Sequence, residues 1–387
     1  MFLRKTKNKS LLVGVFCLLG AVVFFSLDKS ADELAQLNLK YGLVAVESLD
    51  ESVAPRVANL FAPDFLRANL LDSDTPQKEL IVKLAGKDSK NLADVLILDL
   101  RTDADIAQVA AEYSNSEMVE FAEPNFELST ELSPVTIAEL PAELEISAPA
   151  GESVLVAVLD SGVDVAHPAI VGRVVIGRNF LDDSTDVSDA EGHGTHIAGI
   201  ILANSDSAEI LPLKIFDGSS GKIRELVAAI KFATDRSARI INLGLGLKKE
   251  SQILREAIEY ARAKDVFVVA AAGNYRSDSE YFPAAWSNVF AVSALRKNGA
   301  KLFLSNFGEW VDFSVVAQDV RAPMPGGGYS LRTGTSQASP VVSAKIADFL
   351  STSNLTDFVA VENFLLENSE PISGKYLLGR QIFVGGE

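Results

Sequence analysis

His167, His193 and His196 are the three imidazoles of this 387-residue chain, so acid–base chemistry near neutral pH has few side chains to draw on. His193 lies in "EGHGTHIAG" between Gly192 and Gly194, where the missing side-chain bulk lets other segments approach its ring. Asp160 ends the apolar run "VLVAVLD", Asn274 follows "AAAG", and Ser336 stands in "TGTSQASPVV" at the start of a helical pattern. Singly, each has an ordinary reading as a turn former, a helix-start residue or a cap. Together they supply a carboxylate, an imidazole, a side-chain amide and a hydroxyl, which acyl transfer requires. A serine hydroxyl becomes a useful nucleophile when an imidazole takes its proton during attack. A carboxylate fixes the imidazole tautomer and stabilises the imidazolium that forms. The Asn274 amide and the Ser336 backbone N–H at a helix N-terminus would then face the developing oxyanion.

Other chemistries fit less well. His193 and His196 are three residues apart, a spacing zinc ligands also use, but no Glu stands between them in an H-E-x-x-H arrangement. The single cysteine, Cys17, excludes an intramolecular disulfide and a thiolate metal cluster. "DDSTDVSDAE", Asp182 to Glu191, gathers carboxylates that could meet a cation, although a solvated acidic loop is the simpler reading. His167 precedes Pro168 in a turn and receives no role. A net charge of −17 argues against nucleic acid or an anionic membrane surface as partner.

Four such groups must be held by a scaffold. "SVLVAVLDSG", "ILPLKIF", "RIINLGLG" and "VFVVAAAGN" are near-continuous apolar strands. They alternate with the helical segments "HGTHIAGIILA", "IRELVAAIKFATDRSA" and "SQILREAIEYARAKD". Strands buried on both sides and separated by helices imply an α/β fold with a doubly wound, mainly parallel sheet covered on both faces. Ligands of such folds gather beyond the carboxyl ends of the strands, where Asp160 and Asn274 fall. Upstream, "ELIVKLAG", "DVLILDL", "DADIAQVAAEYSNS" and "MVEFAEPNFEL" read as a small α+β unit of strand, strand, helix and strand.

The domain reading follows. Residues 1–30 hold the basic "MFLRKTKNKS" and the uncharged apolar run Leu11–Leu27, read as a helical signal peptide or membrane anchor that directs the rest beyond the cytoplasmic membrane. Residues 31–77 form an extension without assigned chemistry, 78–128 the α+β unit, 129–150 a linker, and 151–387 the domain carrying the candidate site.

"VAVLDSGVDVAHP", "EGHGTHIAGII", "VVAAAGN" and "GTSQASPVV" resemble the four signature segments of the subtilisin-like serine proteases, over roughly Glu152 to Leu350. The resemblance implies a catalytic triad of Asp160, His193 and Ser336, an oxyanion hole of Asn274 and the Ser336 N–H, and a structural His196. It implies an exported endopeptidase that cleaves protein or peptide substrates through an acyl-enzyme on Ser336, with activity rising through about pH 6 to 7. The alternative is a catalytically silent binding or scaffold protein of the same fold. Gly244, Leu245 and Gly246 become candidates for the substrate cleft, although Gly244, where relatives commonly carry Ser, also reads as a close backbone approach. The 78–128 unit resembles the inhibitory propeptide of the family, which implies self-processing between about Glu127 and Gly151 and an intramolecular inhibitor. No cofactor is expected. The insertion that carries a calcium loop in many relatives is missing between "HGTHIAGII" and "ILPLKIF", so calcium has no recognisable site. Gln337 stands where relatives commonly carry Met, which removes an oxidisable thioether beside the serine.

Overall fold

The structure is a computed structural model that describes residues 14–18, 21–25, 37, 46–48, 78–85, 95–100, 105–130, 135–136, 153–354, 357–372, 376 and 378–382. Two compact units divide between Asn125 and Phe126. The helix-like stretch Val53–Leu71 of the extension and most of the 129–150 linker lie outside the described residues.

In the first unit, the strands Val46–Ser48, Val95–Leu100, Lys78–Leu84 and Val119–Pro124 form an antiparallel sheet in that spatial order. The helix Ile106–Ser114 starts where the Asp105 side chain accepts from Ala107 N–H. Its Val109, Ala110 and Tyr113 pack on Leu80, Val82, Leu96 and Leu98 of the sheet. "MVEFAEPNFEL" is not one strand. Pro124 has no N–H for the ladder, so the Val119–Pro124 strand stops there, and Glu127–Thr130 pairs with different partners in the second unit.

The apolar N-terminal run also departs from expectation. Gly14–Leu18 and Ala21–Phe25 pair as an antiparallel ribbon instead of continuing as one helix. Their Val and Phe content favours a pleated backbone. Among the described residues no helix is long and apolar enough to cross a membrane.

The second unit is built on a nine-stranded sheet. Its spatial order is Arg178–Asn179, Ala208–Lys214, Val154–Asp160, Ile240–Leu243, Phe267–Ala271, Phe290–Leu295, Phe313–Val316, Arg380–Ile382 and Ser369–Pro371. Every pairing is parallel except the last. The helices His193–Asn204, Thr335–Thr352 and Phe358–Glu367 share one core with Val154, Val156, Phe267 and Phe290. Ile223–Asp235 and Gln252–Arg262 pack against each other and against the sheet. The second of these is capped by Ser251, and Ile253, Leu254, Ala257, Ile258 and Ala261 form its buried stripe. Because the central strands are buried along their whole length, they read in sequence as unbroken apolar runs.

Candidate active site

Each candidate group sits where a regular element stops. Asp160 is the last residue of its strand, and His193 the first residue of its helix. Asn274 lies three residues beyond the strand Phe267–Ala271, and Ser336 is the second residue of the Thr335–Thr352 helix. Parallel packing brings these ends to one side of the sheet.

His193 Nδ1 lies 2.8 Å from both Asp160 oxygens, and both side chains are 1% exposed. Asp160 is itself held by the Ser161 N–H at 2.8 Å and the Ser161 hydroxyl at 3.2 Å. The opposite ring nitrogen, Nε2, is buried without a hydrogen bond among the described residues. Ser336 Oγ donates to the Gly244 carbonyl at 2.9 Å. A Cβ on Gly244 would lie 3.0 Å from His193 Cε1 and 3.5 Å from Ser336 Cβ, so imidazole and hydroxyl flank one point.

Asn274 is oriented by its neighbour. Its Oδ1 accepts from the Thr335 N–H at 3.0 Å and from the Thr335 hydroxyl at 3.2 Å. No side chain of its own segment caps the Ser336 helix, so Asn274 serves that first N–H. With the oxygen fixed, Nδ2 is left buried beside the helix N-terminus and without a partner among the described residues. A fixed amide donor and a helix N-terminus favour an anion at that place.

Electrostatics around His193 oppose one another. Burial lowers its pKa, while the charge and hydrogen bond of Asp160 raise it; Arg332 lowers it and Glu191 raises it, and the net direction is upward. His196 is different: burial, then the charges of Arg332 and His193, bring it down to about 3, so it stays neutral. His196 Nε2 faces the Ser330 carbonyl at 3.4 Å. His167 is a joint: Nδ1 accepts from Ala169 N–H at 3.1 Å, and Nε2 faces the Gly328 carbonyl at 3.0 Å.

One residue escaped the sequence reading. Asp189, inside the acidic stretch, is 6% exposed and accepts from the N–H groups of Gly192 and Thr195 and from the hydroxyls of Thr195 and Ser161. It ties the end of the Asp160 strand to the first turn of the His193 helix. An acid four residues before a helix-start histidine was the available signal, and acidic neighbours such as Asp182 and Asp186 obscured it. Those two instead hold local turns by accepting from Ser184 and Ser188 N–H. Among the described residues no group of three or more His, Cys, Asp or Glu could hold a metal ion.

Leu245–Gly246 pairs antiparallel with Ser129 and Thr130, and Ser220–Lys222 pairs with Glu127–Ser129 on the other side. The Glu127–Thr130 segment is thus the middle strand of a three-stranded sheet. Val135–Thr136 pairs with Leu331 and Arg332, just ahead of Ser336.

Comparison with known proteins gives the family of the chain. The family model of the subtilases matches residues 151–372. A thermophilic serine proteinase of Bacillus sp. (strain AK1) is 31% identical over 293 residues, covering 70% of this chain and 72% of the relative. Thermitase of Thermoactinomyces vulgaris is 34% identical over 240 residues, covering 58% of this chain and 84% of the relative. A crystal structure of a cold adapted subtilisin-like serine proteinase superposes with a TM-score of 0.57 at 25% identity, over 64% of this chain and 95% of that one. The chain belongs to the subtilase family and is a serine endopeptidase.

Proposed function

We propose that this peptidase works through an acyl-enzyme on Ser336 and is made as a precursor that cuts itself. The observation that carries the chemistry is the His193 ring, bonded to Asp160 through Nδ1 while Nε2 is left open beside Ser336. Ser336 Oγ attacks the scissile carbonyl carbon as its proton passes to His193 Nε2. The oxyanion takes hydrogen bonds from Asn274 Nδ2 and from the N-terminus of the Ser336 helix. The C–N bond breaks as His193 returns the proton to the leaving amine. Water then repeats the sequence on the ester and frees Ser336.

Self-processing is supported by the chain's own path. Glu127–Thr130 lies against Leu245–Gly246 before the site, and Val135–Thr136 lies against the strand leading to Ser336. The connecting residues, 131–134, therefore hold the bond proposed for cleavage, a narrower range than the Glu127–Gly151 span drawn from sequence. In the precursor the same strand would block the cleft, as an intramolecular inhibitor does. Export is part of this proposal and rests on the basic Met1–Ser10 ahead of the apolar Leu11–Leu27.

A fluorophosphonate probe tests the chemistry. Processed wild type is expected to be labelled once per chain, and Ser336→Ala to lose labelling and about 10⁴-fold or more in peptide hydrolysis. Absence of wild-type labelling would favour the silent scaffold instead. Ser336→Ala purified alone is expected to keep its full length; trimming to the wild-type size would remove self-processing from the proposal.

A further inference from the structure

Thr335 fixes the side-chain oxygen of Asn274, but the backbone that carries Asn274 is fixed from elsewhere. The parallel ladder ends with Ala272, whose N–H donates to the Val292 carbonyl at 2.8 Å. Beyond it the chain passes through two left-handed residues, Gly273 with φ 101° and Arg276 with φ 54°. A non-glycine residue persists in that region where its surroundings over-determine it. The polar backbone groups past the end of the ladder also need new partners.

One buried side chain meets both needs. Asn306 is 1% exposed and lies on the connection between the strands Phe290–Leu295 and Phe313–Val316. Its own N–H donates to the Gly273 carbonyl and its Nδ2 to the Ala272 carbonyl, both at 2.8 Å. Its Oδ1 accepts from the Tyr275 N–H at 2.9 Å and from the Ser277 N–H at 3.0 Å. These four bonds bracket Asn274, two before it and two after, and none of the four reaches Asn274 itself. Neighbours extend the grip: the Leu304 carbonyl accepts from Arg276 N–H at 2.7 Å, and Phe307 N–H donates to the Ser277 carbonyl at 3.0 Å. Asn306 is tied to the sheet in turn. Ser305 Oγ donates to the Asn306 carbonyl and accepts from the Ala294 N–H, each at 3.0 Å.

The position calls for an amide. Aspartate would keep an acceptor for Tyr275 and Ser277 but set a carboxylate oxygen against the Ala272 carbonyl. Alanine would strip three backbone groups of their partner. An oxyanion donor works by being in place before the charge develops, so small displacements of its backbone are felt in the rate.

We infer that Asn306 is the positioning residue of the oxyanion hole, holding the Ala272–Ser277 turn so that Asn274 Nδ2 faces the carbonyl attacked by Ser336. It acts through Asn274 and touches no reacting atom. The inference rests on the acyl-enzyme reading of Ser336 and not on self-processing.

The test compares wild type with Asn306→Asp, Asn306→Ala, Asn274→Ala and the two double variants, each expressed as the full chain. Where self-cleavage is slow, tagged processed wild type cuts the variant and is then removed. kcat and KM are measured on a peptide anilide, with enzyme counted by fluorophosphonate labelling carried to completion and folding checked by circular dichroism. Affinity for a peptide boronic acid, which forms a tetrahedral adduct on Ser336, is measured alongside. Asn274→Ala is expected to lose about 10²-fold in kcat, the scale of one oxyanion donor. Asn306→Asp is expected to lose about tenfold and Asn306→Ala more, with KM within about twofold and boronate affinity falling in step with kcat. In the Asn274→Ala background either Asn306 substitution should cost less than about twofold, because the donor it positions is gone. Ser293→Ala removes a buried bond to Ser314 in the same sheet; it is the control for lost stability and should leave kcat unchanged. If Asn306→Ala does not fold, Asn306→Asp carries the same comparison. An Asn306 loss that persists at full size without the Asn274 amide, or that falls on KM instead of kcat, overturns the positioning role. Wild-type kcat in Asn274→Ala would remove the oxyanion reading itself, and the inference with it.

Discussion

Burial pushes the His193 imidazole towards neutrality, and Asp160 more than offsets it, so the ring ionises above its ordinary value. The imidazole must be neutral to take the Ser336 proton. Activity is therefore expected to rise with pH, and the acid limb of the kcat/KM profile to have its midpoint above the usual histidine value of about 6.5. Asp160→Asn should cut kcat by roughly 10⁴-fold, because an amide no longer fixes the tautomer. A pH–rate profile read on a small ester would check both. At this scale the sequence was highly informative: residue types supplied a carboxylate, an imidazole, an amide and a hydroxyl, and the family resemblance singled out Asp160, His193, Asn274 and Ser336; in the fold Asp160 bonds His193, Asn274 bonds Thr335, and His193 and Ser336 both lie near Gly244. What it did not carry was their orientation. That Asn274 turns its oxygen to Thr335 and leaves Nδ2 open depends on a helix start 61 residues away.

Elements decide how firmly those groups are held. Gly194 packs so closely that a Cβ there would lie 2.0 Å from the Gly162 carbonyl, which is how the His193 helix reaches the end of the Asp160 strand. Asp189 secures the same junction with both carboxylate oxygens, each accepting from N–H and O–H donors. Asparagine would turn an NH₂ towards donors. Asp189→Asn is expected to cost about 2–3 kcal/mol in denaturant unfolding. It should also lower kcat more than about tenfold with little change in KM, since the substrate strand is held elsewhere. Thr195→Val, which removes one hydroxyl donor, should have a smaller effect in the same direction. Segment boundaries were less legible than segment identities. "MVEFAEPNFEL" reads as one run because local pattern cannot reveal that its two halves have different partners.

The second unit as a whole also holds a titrating weak point. Asp312 directly precedes the interior strand Phe313–Val316, and its Oδ2 accepts from Ala291 N–H at 2.8 Å. Burial raises its pKa from 3.8 to about 6, with the hydrogen bond opposing and Glu362 adding to the rise. Between those values the native state holds more protons than the unfolded chain, so stability falls as pH increases. The upper bound is about 3 kcal/mol at neutral pH, from about 1.4 kcal/mol per pKa unit. Asp312→Asn keeps an acceptor for Ala291, and is expected to raise Tm at pH 8 while changing it little at pH 4. Thermal unfolding at the two values checks the difference. The sequence by itself determined the α/β class, because strands covered on both faces must be apolar throughout, and it determined the chemical groups available, because those are side-chain identities. Only the tertiary structure decided that Asp189 locks the histidine helix, that Glu127–Thr130 lies against Leu245–Gly246, and that Tyr281 fills the space beside Gly246. Each of these joins residues distant in the chain through hydrogen bonds or contact, and such pairings leave no local periodicity to read.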